Sequence, residues 1–118
     1  VPNAAMIVGY TNISWTLKVD IACEYICRLL KHMDAKGHRV AVPRDDEGCM
    51  DEDNTILGAL SSGYVMRASA TLPRQGTQSP WQVSQNYLRD VPELRYGKID
   101  DGVLRFDETD AEAIREAA

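Results

Sequence analysis

The turn between residues 9 and 16 holds the groups of this sequence that are best placed for chemistry. It reads GYTNISWT, follows a short apolar run at residues 4–8, and leads into the longest helical pattern of the chain. In an α/β protein, ligands bind outside the carboxyl end of a strand, where the chain turns into the next helix. The first amides of a helix are free donors and its dipole favours negative charge, so the turn is a candidate cofactor site. The competing interpretation is an ordinary strand-to-helix connection with capping residues.

The cysteines and histidines offer weaker chemistry. Cys23 and Cys27 lie four residues apart on one predicted helix face, roughly 6 Å from each other. A metal pair there is conceivable, but His32 and His38 are not at a convincing ligand spacing. We therefore expect no metal, and two small apolar core cysteines in a reducing compartment. Neither histidine lies in a nucleophile motif, and both are interpreted as helix-end or surface residues.

Composition excludes several function classes. The 118 residues carry 13 basic and 18 acidic side chains and a net charge of -5, so no nucleic-acid partner is expected. No apolar run approaches the roughly 18 residues that a membrane span needs, and the start has no secretory pattern. The expected location is the cytoplasm. The sequence opens on Val1 rather than methionine, which indicates a chain cut from something longer.

One long helix dominates the predicted structure. Apolar residues recur at helical spacing from Ser14 to Lys36, with Asn12, Ser14 and Thr16 as possible N-caps and Gly37 as the C-terminal stop. Glu24 and Arg28 are predicted to pair across one turn. The apolar stripe is predicted to consist of Leu17, Ile21, Ala22, Tyr25, Ile26, Leu29, Leu30 and Met33.

The remaining elements are short. Residues 4–8 predict a strand buried in a parallel sheet whose other strands lie outside this chain, apart from residues 39–42. Residues 44–54 predict an acidic surface loop that does not match a calcium site. Helices are predicted at 61–72, at 79–89 with Ser79 as N-cap, and weakly at 109–118. Pro92 is predicted to interrupt the second of these, residues 94–99 to continue as a turn or a short helix, and residues 103–106 to be strand-like. Three aromatic residues are interpreted as core rather than pocket residues: Tyr64, Trp81 and Tyr87. The predicted fold class is mainly α with two or three short strands.

A series of motifs then occurs in a fixed order along residues 1–107. It comprises VPN at 1–3, GYTN at 9–12, SWTLK at 14–18, EYICRLL at 24–30, HMD at 32–34, SSGYV at 61–65, PW at 80–81, QNYL at 85–88 and RYGKIDDGVLRF at 95–106. With these motifs the chain resembles the C-terminal portion of a flavin-dependent monooxygenase of the Baeyer–Villiger type. Within that family, it is similar to the branch of ethionamide-activating monooxygenases.

The resemblance implies a large α/β flavoprotein with two dinucleotide-binding domains, which uses FAD and NADPH. Its substrate would be a small organic ketone or a sulfur compound. It implies that residues 1–42 are the last strand and helix of the FAD domain, 43–60 an acidic surface loop and 61–118 a helical C-terminal tail. A helix start near the flavin would stabilise negative charge on the reduced ring by about 1 kcal/mol. The implied cofactor-binding residues are Asn12, Ser14, Trp15 and Thr16.

The chain also departs from the family. Both glycine-rich dinucleotide fingerprints are absent, and no arginine of this chain lies in a motif that matches the active-site arginine of the family. We therefore assign no catalytic residue and expect the isolated chain to hold no cofactor and to be inactive without the N-terminal FAD and NADP domains. The alternative is a small non-catalytic helical interaction module derived from such an enzyme. In either case the unpaired edge of residues 4–8 favours self-association or partner binding.

Overall fold

A computed structural model of the chain describes residues 3–58, 60 and 62–107. It divides into two compact units. The first unit comprises Val1–Tyr10, Ser14–Arg44 and Asn86–Ala118, and the second comprises Thr11–Ile13 and Asp45–Gln85. The weak helix predicted at 109–118 lies outside the described residues. The elements in chain order are α1 (Trp15–Lys36), β1 (Ala41–Pro43), β2 (Met50–Thr55), α2 (Gly63–Ala68), β3 (Arg74–Gly76), α3 (Tyr87–Tyr96) and β4 (Leu104–Phe106).

The long helix is confirmed. Ser14 is its N-cap residue and Gly37 its C-cap, with a left-handed φ of 73° that glycine adopts without steric cost. The N–H of Gly37 donates to the carbonyl of Asp34, and the N–H of His38 donates to that of Met33. The predicted Glu24–Arg28 pair is wrong. Each of the two side chains reaches α3 instead, and these long-range contacts outweigh a local pair worth only a few tenths of a kcal/mol.

Helix α3 packs on α1 within the first unit. The guanidinium of Arg28 donates to the carbonyls of Leu94, at 2.7 Å, and Gly97. Arg95 donates to both carboxylate oxygens of Glu24, at 2.8 and 2.9 Å. These contacts hold the carboxyl end of α3 against the middle of α1.

The predicted start of the helix at Ser79 is wrong. Ser79 and Pro80 lie in a turn and share a cis peptide bond. The helix begins only at Tyr87, where the side chain of Asn86 accepts from the N–H of Arg89, and it passes through Pro92. A proline inside a helix costs roughly 3 kcal/mol. The contacts of residues 94–97 with α1 offset that cost, and the local signal could not reveal them.

Strands β1 and β4 pair antiparallel in the first unit, with Ala41 opposite Phe106 and Pro43 opposite Leu104. Both were predicted as strand segments. Asn3 adjoins β1: its backbone N–H donates to the carbonyl of Ala41, and its side-chain oxygen accepts from the N–H of Ala41.

Residues 4–8 form no strand, contrary to the prediction. Residues 4–6 are exposed, and the side chain of Met6 is 66% exposed. The strand that was to lie beside them, β1, is occupied by β4 on one side and by Asn3 at its start. A strand needs a partner for its backbone groups, and the described residues provide none for this segment.

The second unit contains β2, α2 and β3. Strands β2 and β3 pair antiparallel, with Met50 opposite Gly76 and an irregularity between Asp51 and Thr55. The acidic segment 44–54 is therefore only partly the predicted loop. Its acidic residues have low β propensity, but its backbone pairs with β3. Helix α2 is shorter than the predicted 61–72 helix, and the described residues form four strands rather than two or three.

Burial also differs from the predicted apolar stripe. Of the helix residues in that stripe, only Ile21 and Met33 are buried, and Leu30 is 54% exposed. Cys23 and Cys27 are exposed rather than core residues. Tyr64 is 67% exposed and so is not a core residue, Trp81 is half-buried, and Tyr87 is half-buried with an edge-on contact to Tyr10. The contact with α3 covers one side of α1, and the predicted stripe is broader than that side.

The carboxylate of Asp90 is a deeply buried charged group of the first unit. Asp90 is 3% exposed and Tyr10 is 2% exposed. The phenol of Tyr10 donates to Oδ2 of Asp90 at 2.6 Å, and Nζ of Lys18 forms an ion pair with the same oxygen. Burial, and then the bond to Asp90, raise the pKa of Tyr10 well above its ordinary value, so the phenol stays protonated and keeps donating. One carboxylate thus joins the segment before α1, the first turn of α1 and α3.

Replacing Asp90→Asn should lower the free energy of unfolding by about 2–3 kcal/mol. The change removes the charge that compensates Lys18 and weakens the acceptor of Tyr10, while part of Lys18 remains in contact with water. Urea unfolding followed by circular dichroism measures the effect. The matched control is Asp20→Asn, since Asp20 is an exposed carboxylate 3.6 Å from Arg95 and its loss should cost under about 0.5 kcal/mol. An equal loss in the free energy of unfolding for the two variants would contradict the role of Asp90 in holding the first unit together.

A second carboxylate, that of Asp107, closes the end of the β1–β4 pair. Its Oδ1 accepts from the N–H groups of Arg39 and Val40, at 2.7 and 3.1 Å, and its Oδ2 lies 2.6 Å from Nδ1 of His38. The His38 ring stacks on Phe106 with centroids 4.7 Å apart. The N–H of Arg39, followed by His38, holds the pKa of Asp107 below its ordinary value.

The stabilisation from Asp107 should depend on pH. Because the pKa of this carboxyl is lower in the folded chain, its contribution is present above the unfolded pKa of about 4 and is lost as pH falls through the folded value. Asp107→Asn, whose side chain tolerates the left-handed φ of 56°, should be less stable than the parent at pH 7. The difference in urea midpoint between the parent and Asp107→Asn should be smaller at pH 3 than at pH 7. The control Asp100→Asn, at an exposed site, should show no such trend. A gap that is equal at pH 7 and pH 3 would exclude this role.

Candidate functional site

The candidate site is the amino-terminal end of α1, and the predicted residues Ser14, Trp15 and Thr16 lie there together. Ser14 has φ -59° and ψ 124° and makes no side-chain bond to the helix backbone. Its hydroxyl is 2.9 Å from that of Thr16, so the two side chains engage each other instead of the helix amides. The carbonyl of Ser14 accepts from the N–H of Leu17 at 3.3 Å.

This helix end keeps free donors. By helix geometry the N–H groups of Trp15 and Thr16 have no partner inside the helix, and among the described residues none supplies an acceptor for them. The first turn contains no acidic side chain. The partial positive charge of the helix start is thus not neutralised by a nearby carboxylate in that turn. The N–H groups at such an end can donate to hydrogen-bond acceptors or to a negatively charged group of a ligand.

Lys18 does not supply that charge. A lysine in the first turn of a helix opposes the macrodipole, and here its ammonium is paired with Asp90. Its Nζ also lies 5.1 Å from the centroid of the Tyr10 ring. Sequence reasoning missed the network of Tyr10, Lys18 and Asp90. The signal was the unfavourable position of Lys18, which indicates an acidic partner but not which of the 18 acidic residues it is.

Trp15 and Gly9 fit together at the same end of the unit. Trp15 is 47% exposed and Gly9 is buried. A Cβ atom at Gly9 would lie 2.3 Å from the Cγ and Cδ2 atoms of the Trp15 indole. The absence of a side chain at Gly9 therefore makes room for the indole at the first residue of the helix.

Asn12 belongs to the second unit and is not part of this helix end. Its Nδ2 donates to the carbonyl of Gln85 at 3.0 Å. The neighbouring Thr11 donates to the side-chain oxygen of Gln85 from its N–H, at 2.9 Å, and from its hydroxyl, at 3.2 Å. Gln85, which the sequence did not single out, therefore fixes the 11–13 segment in that unit. A cofactor role for Asn12 stays a prediction.

Other kinds of site find little support in the part of the chain that the structure describes. Residues 3–58, 60 and 62–107 contain no group of three or more histidine, cysteine or acidic residues that could hold a metal ion. In the same residues, no helix is both long enough and apolar enough to cross a membrane.

Curated relatives match most of this chain but only part of their own length. It is 52% identical over 107 residues to the probable FAD-binding monooxygenase AlmA of Acinetobacter baylyi, which covers 91% of this chain and 21% of AlmA. It is 47% identical over 106 residues to the FAD-containing monooxygenase EthA of Mycobacterium tuberculosis, and 41% identical over 106 residues to EthA of Mycolicibacterium smegmatis. Each EthA match covers 90% of this chain and 21% of the relative.

The chain thus spans about a fifth of the length of the curated relatives it matches. No family model matches the sequence, and no solved structure matches it. The ordered motifs and the identity near 50% point the same way. In sequence, the chain belongs with the FAD-binding and FAD-containing monooxygenases, as a segment of such an enzyme.

Proposed function

We propose that this chain is the C-terminal part of an FAD- and NADPH-dependent monooxygenase that oxidises small organic ketones or sulfur compounds. The observation that carries the proposal is the identity of 52% to a monooxygenase named as FAD-binding, over nine-tenths of the chain. The ketone and sulfur substrates, the two-dinucleotide-domain architecture and the use of NADPH rest on the motif resemblance. The predicted cytoplasmic location stays a prediction as well.

Within such an enzyme, the start of α1 is the part of this chain that we assign to the cofactor. FAD, reduced by NADPH, would supply the oxidising chemistry with molecular oxygen. The donor set fits the flavin, because the pyrimidine edge of its ring is rich in acceptors and becomes negative on reduction. The N–H groups of Trp15 and Thr16 would donate to that edge, and the hydroxyls of Ser14 and Thr16 lie beside them.

The buried pair of Lys18 and Asp90 supports this role indirectly. Because Asp90 compensates the lysine charge, the first turn offers hydrogen-bond donors and a helix dipole rather than a mobile cation. The same carboxylate anchors Tyr10, which lies near the start of the 9–16 turn that leads into α1. This anchoring restricts the orientation of the helix start relative to α3, and a fixed donor is more effective than one that must reorganise.

The alternative function is a non-catalytic interaction module, and one observation favours it. Met6 and Leu30 are exposed apolar side chains, which suits binding to another protein or to a second copy. The coding sequence upstream of Val1 separates the two proposals. An in-frame Gly-x-Gly-x-x-Gly between a strand and a helix pattern supports the enzyme, whereas a start codon close to Val1 supports the module.

The isolated chain should carry no flavin and oxidise no NADPH. Its proposed contacts reach one edge of the ring, and the glycine-rich segments that would hold the rest of a dinucleotide are absent from its 118 residues. The test compares the chain with a chimera in which it replaces the matched segment of A. baylyi AlmA. Absorbance near 450 nm should appear in the chimera only, about one FAD per chain. Stoichiometric FAD on the isolated chain would contradict the first expectation, and a folded chimera without FAD would contradict the proposed function.

An acid in the first turn should have opposite effects on the helix and on the cofactor. In the isolated chain, Thr16→Glu should be more stable than the control Thr16→Gln by about 0.3–1 kcal/mol, because a carboxylate favours the helix start. In the AlmA chimera, the same comparison should show FAD bound roughly fivefold more weakly and a more negative flavin potential, since the carboxylate competes for the donors. Stability is read from urea unfolding and affinity from flavin fluorescence. Equal FAD affinity and equal potential in the two chimeras would remove the helix start from the cofactor site.

A further inference from the structure

Helix α1 has a second apolar face that the described residues of the first unit leave largely uncovered. Val19, Cys23, Ile26 and Leu30 are spaced four, three and four residues apart, and at 100° per residue they share one side of the helix. Ala22 and Cys27 adjoin them. These six residues carry no charge, and they extend over about 16 Å of helix.

The opposite side of α1 is the one that contacts α3. Lys18, Glu24 and Arg28 make the polar contacts to α3 described above. These contacts settle which side of α1 faces its partner in the first unit. The Val19–Leu30 face points away from them by helix geometry.

Exposure confirms that this second face is open in the first unit. Cys23 and Cys27 are exposed, Leu30 is 54% exposed, and Val19 and Ile26 are only half-buried. A solvated helix face is usually lined by charged and polar side chains. An apolar face of this length is instead typical of a surface that another element covers.

We propose that the Val19–Leu30 face is the docking surface for the rest of the polypeptide, the part that corresponds to the other four-fifths of the relatives' length. The chain matches 21% of AlmA and of EthA, so most of such an enzyme lies outside it. The inference rests on the proposed function, because it takes the missing part to be that of a monooxygenase. Met6, also in the first unit, is a further exposed apolar side chain that the missing part would cover.

A second copy of this chain fits the face less well. Each copy carries a net charge of -5, so two copies repel one another over and above the contact itself. The remainder of the same polypeptide is present at a high effective concentration and needs no such association. Self-association is therefore the competing outcome of the test.

The two exposed thiols make the proposal measurable. In the isolated chain, N-ethylmaleimide should label Cys23 and Cys27 rapidly, and buried Cys49, whose Sγ accepts from Gln78, slowly. In the AlmA chimera, Cys23 and Cys27 should react at least about tenfold more slowly, because a covered thiol is inaccessible. Mass spectrometry assigns the label to each peptide, Cys23→Ser and Cys27→Ser verify the assignment, and the urea-unfolded protein gives the unprotected rate.

Each outcome decides the question. Protected thiols in the chimera support the proposal. Reactive thiols in a chimera that retains FAD overturn it while the proposed function stands. If the chimera fails to fold, the same labelling is run on this chain mixed with AlmA that lacks the matched segment, and reactive thiols there overturn the proposal. Protection in the isolated chain that grows with its concentration also overturns it, in favour of a second copy.

A matched pair of variants provides an independent measurement. Leu30→Ser and Lys31→Ser change neighbouring exposed residues of similar helix propensity, but only Leu30 lies on the proposed face. In the chimera, the melting temperature should fall more for Leu30→Ser than for Lys31→Ser. The difference between the two variants should be larger in the chimera than in the isolated chain. The same margin in both proteins would contradict the docking surface.

Discussion

The carboxylate of Asp90 is the interaction on which the first unit depends. It accepts from the phenol of Tyr10 and pairs with Lys18. Tyr10 lies before α1 in the chain, and Lys18 lies in the first turn of α1. A buried carboxylate is expensive to remove from water, and the charge of Lys18 and the hydrogen bond of Tyr10 compensate for that cost. The arrangement therefore specifies one way for α3 to lie on the first turn of α1. Ion pairs farther along α1, at Glu24, are exposed and add comparatively little.

That constraint gives the helix start its chemical character. The ammonium of Lys18 in the first turn would otherwise make the helix start positively charged, but it is paired with the carboxylate of Asp90. What remains at the tip are backbone donors, hydroxyls and an indole, which can bind acceptor groups of a ligand. The same residues lie in a segment that is shared, at about half identity, with enzymes named for FAD. The assignment of this helix start to the cofactor stays a proposal, which its free donors and the sequence relationship both favour.

Local signals predicted the elements that local physics determines. The helix Trp15–Lys36, its glycine C-cap and the short segments that became β1 and β4 follow from periodicity and turn chemistry. Long-range choices were not visible. The start of α3 at Tyr87, the pairing of the acidic strand β2 and the partners of Glu24 and Arg28 depend on which residues meet in the fold. For the candidate site, the turn and the family motifs predicted Asn12, Ser14, Trp15 and Thr16, and their cofactor role stays a prediction. Asp90 could not be predicted, because nothing near it in the sequence points to α1. The wrong prediction for Cys23 and Cys27 has a different cause. They were predicted to be buried because they are small and apolar, but the described residues do not bury them.

Gly9 and Trp15 carry a consequence for how this segment can vary among relatives. Position 9 does not require glycine for an unusual backbone angle. It requires glycine because the indole of Trp15 fills the space that a side chain there would need. The two positions therefore form a volume pair: a side chain at position 9 is compatible with the same backbone only where position 15 holds something smaller than tryptophan. Substitutions at these positions should thus be linked across homologous sequences, and a relative that changed one alone would have to shift the first residue of its helix.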